Sequence, residues 1–306
     1  MKKKILITGI RGFVGQNLNE YFKGKMVVGI SRMSSIKEDI ISYDDVFDYL
    51  SQSYVLIHLA GKAHDLKKTS SESKYFEVNT ELTINLFDQF LASNCKIFIY
   101  MSSVKAVADK VDGFLEEKVI PNPVTIYGKS KLAAEQYILN QKLPKNKKVY
   151  ILRPCMIHGA NNKGNLNLLY NFVSKGIPYP FGKYENKRSF VSIENLCFII
   201  NELLLNNKIK SGVYNIADDA TLSTKELVSI IGEITNKPVK ILNLPKSIVR
   251  LVSKFGDIFP IPINSQRVQK LTENYCVTNK KIKNAIGKEL PLTAKEGIMK
   301  TLKSFL

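Results

Sequence analysis

The 306-residue sequence predicts an α/β fold, a doubly wound parallel sheet followed by a smaller C-terminal α+β portion. Three observations carry this reading. Strand and helix signals alternate through the first half of the chain. The strands are near-continuous apolar runs, as in Lys4–Thr8 and Lys96–Met101, which suits strands buried on both faces. A glycine-rich turn, Gly9-Ile10-Arg11-Gly12-Phe13-Val14-Gly15, leads from the first strand straight into a helix.

The elements follow in order. Lys4–Thr8 is a strand and Phe13–Phe22 has helical spacing. Met26–Ile30 and Tyr54–Leu59 are further strands. Val78–Leu91 predicts a helix with Leu82, Leu86 and Phe90 on one apolar face. Lys96–Met101 is a strand, Lys129–Leu139 a helix and Val149–Leu152 a strand. Beyond residue 160 the texture changes. Ala160–Asn186 reads as loop. Ser223 and Glu226 make a capping box ahead of a helix that ends near Thr235. Pro238, Pro245, Pro260, Pro262 and Pro291 break the remainder into short pieces. The segment Leu244–Ile263 is apolar, basic and aromatic. It reads as a lid or subunit contact, with a membrane-surface helix as the alternative.

Composition narrows the class. With 44% hydrophobic and 24% charged residues, the chain is an ordinary globular protein. No stretch approaches the ~20 apolar residues of a membrane span, so stable membrane insertion is not expected. The basic start Met1–Lys4 precedes an apolar run only one strand long, which is not a secretory leader. Cys95, Cys155, Cys197 and Cys276 lie far apart, without metal-ligand spacing. They predict reduced thiols, no metal and a cytoplasmic location. The net charge of +18 is spread along the chain, with no block of like charge, so nucleic acid is not the expected partner. The sequence is compatible with a homodimer without requiring one.

Two groups of residues carry chemistry. In the turn, Gly9 permits the tight bend, Gly12 a close backbone approach to a pyrophosphate, and Gly15 close packing of the helix on the strand. The helix N-terminus offers N–H groups to the phosphates. The second strand ends in Gly29-Ile30-Ser31-Arg32, without the carboxylate that would bind a ribose 2′-hydroxyl. The fork of Arg32 suits a 2′-phosphate instead, so the expected cofactor is NADP, with NAD as the alternative. Second, the strand ending in Ser102-Ser103 precedes Tyr127-Gly128-Lys129-Ser130-Lys131. Tyr127 and Lys131 are four apart at a helix start and share a face. The lysine ammonium is expected to draw the phenol below its usual pKa near 10. Ser103 can hold the same substrate oxygen while hydride moves to or from the adjacent carbon.

In these stretches the chain resembles extended short-chain dehydrogenase/reductases of the NAD-dependent epimerase/dehydratase family, in the branch of nucleotide-sugar 4-ketoreductases and 4-epimerases. His58-Leu59-Ala60-Gly61, Val78-Asn79, Leu152-Arg153-Pro154 and Arg188-Ser189-Phe190-Val191 add to the match. The resemblance implies a Rossmann-type dinucleotide domain over residues 1–159, rejoined by about 187–217, with 160–306 mainly binding substrate. It implies a catalytic triad of Ser103, Tyr127 and Lys131, with Lys131 also reaching the nicotinamide ribose. It sets backbone groups of Phe13 and Val14 at the pyrophosphate, Asp39 and Ile40 near the adenine, and Ala60 and Gly61 along the cofactor. Asn79 supports the active site. Asn165, Phe181, Arg188 and Arg267 grip a nucleoside diphosphate, toward which the positive charge of the chain would help attract substrate.

Departures from the family pattern narrow the activity. Val104 and Lys105 stand where sugar dehydratases carry an Asp-Glu pair. Pro154-Cys155-Met156 stands where many 4-epimerases carry Tyr-Phe-Asn. Ser102–Lys105, Lys163-Gly164-Asn165 and Lys187–Val191 are similar to bacterial reductases of UDP-4-keto-6-deoxy-N-acetylhexosamines, which serve surface-polysaccharide synthesis. The expectation is therefore NADP-dependent reduction of a C4 carbonyl. The alternative is 4-epimerisation of a UDP-hexose or UDP-N-acetylhexosamine with tightly held NAD. A non-catalytic dinucleotide-sensing regulator is a remote third reading, since such proteins generally lack the tyrosine–lysine pair.

Overall fold

The computed structural model describes residues 4–33, 35, 39–63, 71–162, 164–258 and 264–306. The chain alternates strand and helix: β1 (Lys4–Thr8), α1 (Phe13–Tyr21), β2 (Val27–Ile30), β3 (Ile40–Ile41), α2 (Val46–Ser51), β4 (Ser53–His58), α3 (Glu72–Phe76), α4 (Leu82–Ala92) and β5 (Ile97–Met101). Then come β6 (Phe114–Leu115), α5 (Ile126–Asn140), β7 (Lys148–Pro154), β8 (Met156–His158), α6 (Asn165–Ser174), β9 (Phe190–Ser192), α7 (Ile193–Leu205) and β10 (Gly212–Ile216). The chain ends with α8 (Thr224–Thr235), α9 (Lys246–Ile258), α10 (Ser265–Thr272), β11 (Cys276–Val277), α11 (Lys280–Ile286) and α12 (Ala294–Lys303).

The main sheet has seven strands in the order β10-β7-β5-β4-β1-β2-β3, and every pair in it is parallel. From β1 the chain first winds outward through β2 and β3. It then returns to β4 and winds the other way. The topology therefore reverses between β1 and β4, where open parallel sheets form a crevice beyond their carboxyl ends. The glycine-rich loop follows β1, and Leu59-Ala60-Gly61 follows β4, so both lie at that reversal.

Alternation along each strand builds two packed layers. Ile5, Ile7, Val55, Ile57, Ile97 and Ile99 face one side, against Leu196, Ile199 and Ile200 of α7. Leu6, Leu56, Phe98 and Tyr100 face the other, against Val46, Leu50, Leu86, Phe90 and Ile138. A third cluster joins Leu169 and Tyr170 of α6, Leu227 and Ile231 of α8, and Ile298 and Leu302 of α12. The four cysteines are free and buried.

Three expectations need correcting. The stretch read as loop from Ala160 to Asn186 contains α6, whose apolar Leu166, Leu169, Tyr170 and Val173 pack into the third cluster. Local signals missed it because Gly and Asn surround its start. The helix expected over Val78–Leu91 begins at Glu72 and is interrupted by a π turn, Glu77–Glu81. The helix expected from Lys129 begins at Ile126, because Thr125 caps it by accepting a bond of 3.2 Å from the Gly128 amide. The correction matters: Tyr127 sits inside the first turn.

Gly15 is where helix and strand meet most closely. A Cβ there would lie 2.3 Å from the Gly9 carbonyl oxygen and 2.7 Å from the Ile10 Cα. Both obstacles are backbone. Gly15→Ala is expected to cost about 1–3 kcal/mol, the range of overpacked cores. A urea midpoint unchanged from the parent would refute the tight fit.

Candidate active site

Residues from four strand ends meet beside the β1–β4 reversal. Ser103 follows β5 and caps a short 3₁₀ turn, Val104–Ala106, by accepting from the Lys105 amide at 3.2 Å. Helix α5 presses onto that turn through Gly128, whose hypothetical Cβ would lie 2.3 Å from the Lys105 carbonyl oxygen. The close approach sets Tyr127 next to Ser103, whose hydroxyl lowers the phenol's pKa.

Lys131, one turn further along α5, is buried. Its Nζ donates to the Met101 carbonyl at 2.9 Å and lies 4.9 Å from the centre of the Tyr100 ring. Burial lowers its pKa to about 8, and the Glu135 carboxylate opposes that shift. Tyr127 behaves differently from expectation. Burial raises its pKa above 10, the Ser103 hydroxyl pulls it down, and Tyr75 adds to the rise. The expectation that Lys131 acidifies this phenol is therefore corrected. In the structure the ammonium is committed to a backbone carbonyl, and burial of the ring dominates.

Beneath Lys131 lies a charge pair that the sequence reading did not find. Glu135, one turn beyond Lys131, is fully buried, and Arg153 of β7 is 4% exposed. Arg153 Nε donates to both carboxylate oxygens at 3.0 and 3.1 Å, while Nη2 donates to Oε2. Ser102 also donates to Oε1. The i, i+4, i+8 spacing of Tyr127, Lys131 and Glu135 was the available signal.

A second network ties the end of β1 to the loop after β4 and to helix α4. The Thr8 hydroxyl accepts from the Leu59 and Ala60 amides at 3.1 and 3.0 Å, and it lies 2.7 Å from His58 Nδ1. With both acceptor positions used, Thr8 donates its proton to Nδ1. His58 Nε2 then donates to Thr83 Oγ1 at 2.9 Å, and Thr83 donates to the Asn79 carbonyl at 2.8 Å. Burial, aided by Lys131, lowers the His58 pKa to about 3, so the ring is neutral. The Asn79 side chain accepts from the Lys62 amide at 2.7 Å and donates to the Lys62 carbonyl and Ser130 Oγ at 3.0 and 2.9 Å. Asn79 thus clamps the loop after Gly61 to helix α5.

The remaining expected residues are placed as follows. The first intrahelical bond of α1 runs from the Gln16 amide to the Gly12 carbonyl at 2.9 Å, so the amides of Phe13, Val14 and Gly15 precede it. Arg32 is exposed beyond β2, and its charge lowers the Tyr43 phenol pKa against the larger effect of burial. Asp39 takes a positive φ of 51°, and its carbonyl accepts from the Gly29 amide at 2.9 Å. Ile40 is buried beside Gly29. Phe181 is 4% exposed, its ring edge-on to Tyr179 and Tyr184, and so is committed to the third cluster. Arg188 Nη1 lies 3.5 Å from Glu273 Oε1. The side chains of Asn165 and Arg267, and residue Lys163, lie outside the described residues. Lys105 turns toward the C-terminal portion, donating to the Asp109 carbonyl at 3.0 Å with its Nζ 4.1 Å from the Tyr275 ring centre.

Comparison with known proteins assigns the family and the fold. The model of the NAD dependent epimerase/dehydratase family matches residues 5–217. The chain belongs to that family. The matched segment holds nearly all of the seven-stranded sheet together with Ser103, Tyr127 and Lys131. A UDP-glucose 4-epimerase of Vibrio cholerae is 33% identical over 100% of this chain and 96% of its own. A GDP-6-deoxy-D-mannose reductase of Pseudomonas aeruginosa is 23% identical over 80% of this chain and 84% of its own. Among solved structures, the UDP-N-acetylglucosamine 4-epimerase of Bacillus cereus superimposes with a TM-score of 0.76 at 20% identity, covering 98% of this chain and 97% of that one. This family member is an enzyme of the short-chain dehydrogenase/reductase type with a Rossmann-type fold.

Proposed function

We propose that the protein reduces the C4 carbonyl of a nucleoside-diphosphate sugar, of the UDP-4-keto-6-deoxy-N-acetylhexosamine type, with NADPH, in the synthesis of a surface polysaccharide. The observation that carries this is the adjacency of Ser103 and Tyr127 at the end of β5, with buried Lys131 behind them, beside the β1–β4 reversal.

The residues present fit a dinucleotide. The turn from Gly9 to Gly15, with the amides of Phe13 and Val14, suits the pyrophosphate at a helix N-terminus. Asp39 and Ile40 border the adenine position, Arg32 the 2′-phosphate, and Ala60, Gly61 and Asn79 the path toward Lys131. When bound, the nicotinamide supplies the hydride. Ser103 then holds the carbonyl oxygen and Tyr127 gives it a proton. The Tyr127 hydroxyl, protonated at neutral pH like any tyrosine's, is a proton donor for the carbonyl oxygen. In this reading Lys131, held by the Met101 carbonyl, would bind the nicotinamide ribose. Val104 and Lys105, in place of two carboxylates, provide no acid/base pair for removing water. Residues 160–306 shape the sugar side in this reading: Arg188, Asn165 and Arg267 are the proposed diphosphate-binding residues, and Phe181 is in the wall behind.

A second reading, 4-epimerisation with retained NAD, is favoured by the full-length likeness to the Vibrio cholerae epimerase. Absorbance at the NADPH band separates the two. Reduction consumes one NADPH per 4-keto sugar, whereas epimerisation interconverts UDP-sugars with no net consumption. Conversion of UDP-sugars without NADPH oxidation, and no turnover of 4-keto sugars, would overturn the first reading.

Cofactor choice gives a further prediction. Arg32→Ala should weaken NADPH binding about 10- to 100-fold relative to NADH, the worth of a charge-assisted phosphate contact. Equal loss for both dinucleotides would remove Arg32 from that role.

A further inference from the structure

We infer that helix α9 is a docking surface for an anionic lipid bilayer. This inference is independent of the reaction proposed above.

The helix is inside out. A surface helix ordinarily turns its large apolar residues to the core and its polar residues to water. In α9 the buried residues are Val249, Ser253 and Gly256, two of them small. The large residues point out: Ile248 is 46% exposed, Leu251 59%, Val252 39%, Phe255 53% and Ile258 77%. Their spacing of i, i+3, i+4, i+7 and i+10 sets them in one stripe along one face. Packing against the body does not explain it, because the body is met by the other face.

A row of cations runs beside the stripe. Lys246, Arg250 and Lys254 recur every fourth residue and are all exposed. Asp257 continues this row three residues after Lys254, and its carboxylate also accepts from the Ser265 amide at 2.9 Å and from Ser265 Oγ at 2.6 Å, so the row holds three cations and one anion. The surface therefore offers five apolar side chains flanked by a row with an excess of positive charge. Its complement is apolar within and negative at its rim. A bilayer carrying anionic headgroups has that profile, with the stripe immersed at the headgroup–acyl boundary and the cations at the phosphates. The net charge of +18 gives the whole molecule the same electrostatic preference.

The mode is adsorption. Among the described residues no helix is long and apolar enough to cross a membrane, and α9 has 13 residues. Its first turn also touches the sugar side, since Lys246 Nζ lies 5.4 Å from the Tyr184 ring centre, next to Phe181. Docking would hold the C-terminal portion against the headgroups.

The test is sedimentation of the full-length protein with vesicles of mixed phosphatidylglycerol and phosphatidylcholine, and with vesicles of phosphatidylcholine alone. Binding to the anionic vesicles is expected, with much weaker binding to the neutral ones. Arg250→Gln with Lys254→Gln should weaken anionic-vesicle binding by roughly thirtyfold at low salt, at about fivefold per cation. Leu251→Ser with Phe255→Ser should abolish binding while leaving the urea midpoint and circular dichroism unchanged, because both residues are exposed. No binding to anionic vesicles, or binding that survives the apolar double substitution, overturns the inference. So does a dimer in solution that the same double substitution dissociates, which would give the face to a second copy.

Discussion

Tyr127→Phe is expected to lower kcat by about two to four orders of magnitude, the usual worth of a positioned proton donor. The substitution removes one oxygen atom from a ring that packs unchanged, so folding and dinucleotide affinity should hold. KM for the sugar should change little, since the hydroxyl acts chiefly as the proton moves. Steady-state kinetics with a 4-keto sugar, alongside a direct binding measurement for NADPH, separates these quantities. A variant that turns over at the parent rate would dismiss Tyr127 as the donor. A variant that fails to bind NADPH would show that the phenol is structural.

Glu135→Gln should have the largest effect on stability. It leaves the Arg153 guanidinium buried and without its countercharge, a situation that costs about 3–5 kcal/mol. Replacing both partners, as in Glu135→Met with Arg153→Met, should cost distinctly less, because no unpaired charge remains. Urea unfolding with an unchanged slope reads both values. The pair also bears on the chemistry. The Glu135 carboxylate is the neighbour that opposes the fall in the Lys131 pKa. Removing it should let that pKa fall below about 8, so loss of activity with rising pH should begin at lower pH than in the parent. A double-Met variant less stable than Glu135→Gln, or an unmoved pH profile, would contradict this account.

Much of the site was legible because its parts are local. Gly9, Gly12 and Gly15 form one turn, and Tyr127 and Lys131 are one helical turn apart, so period and spacing suffice to find them. Ser103 was legible as the end of an apolar strand. Glu135 carried the same helical period but was passed over, because its meaning depends on Arg153, 18 residues further on across the sheet. The Thr8–His58–Thr83–Asn79 chain was out of reach for the same reason. Its members come from two strands and two helical segments, and only the parallel register that sets Thr8 opposite His58 joins them. Helix α6 was missed because its apolar face has meaning only against α8 and α12.

The sequence by itself determined the alternation of elements, the glycine-rich turn after the first strand, and the order Ser103, Tyr127, Lys131, since each rests on local pattern and spacing. Only the tertiary structure decided the partners of the site: the Lys131 ammonium finds the Met101 carbonyl, and Glu135 finds Arg153. Burial and long-range partners arise when distant segments pack, and no spacing along the chain encodes them.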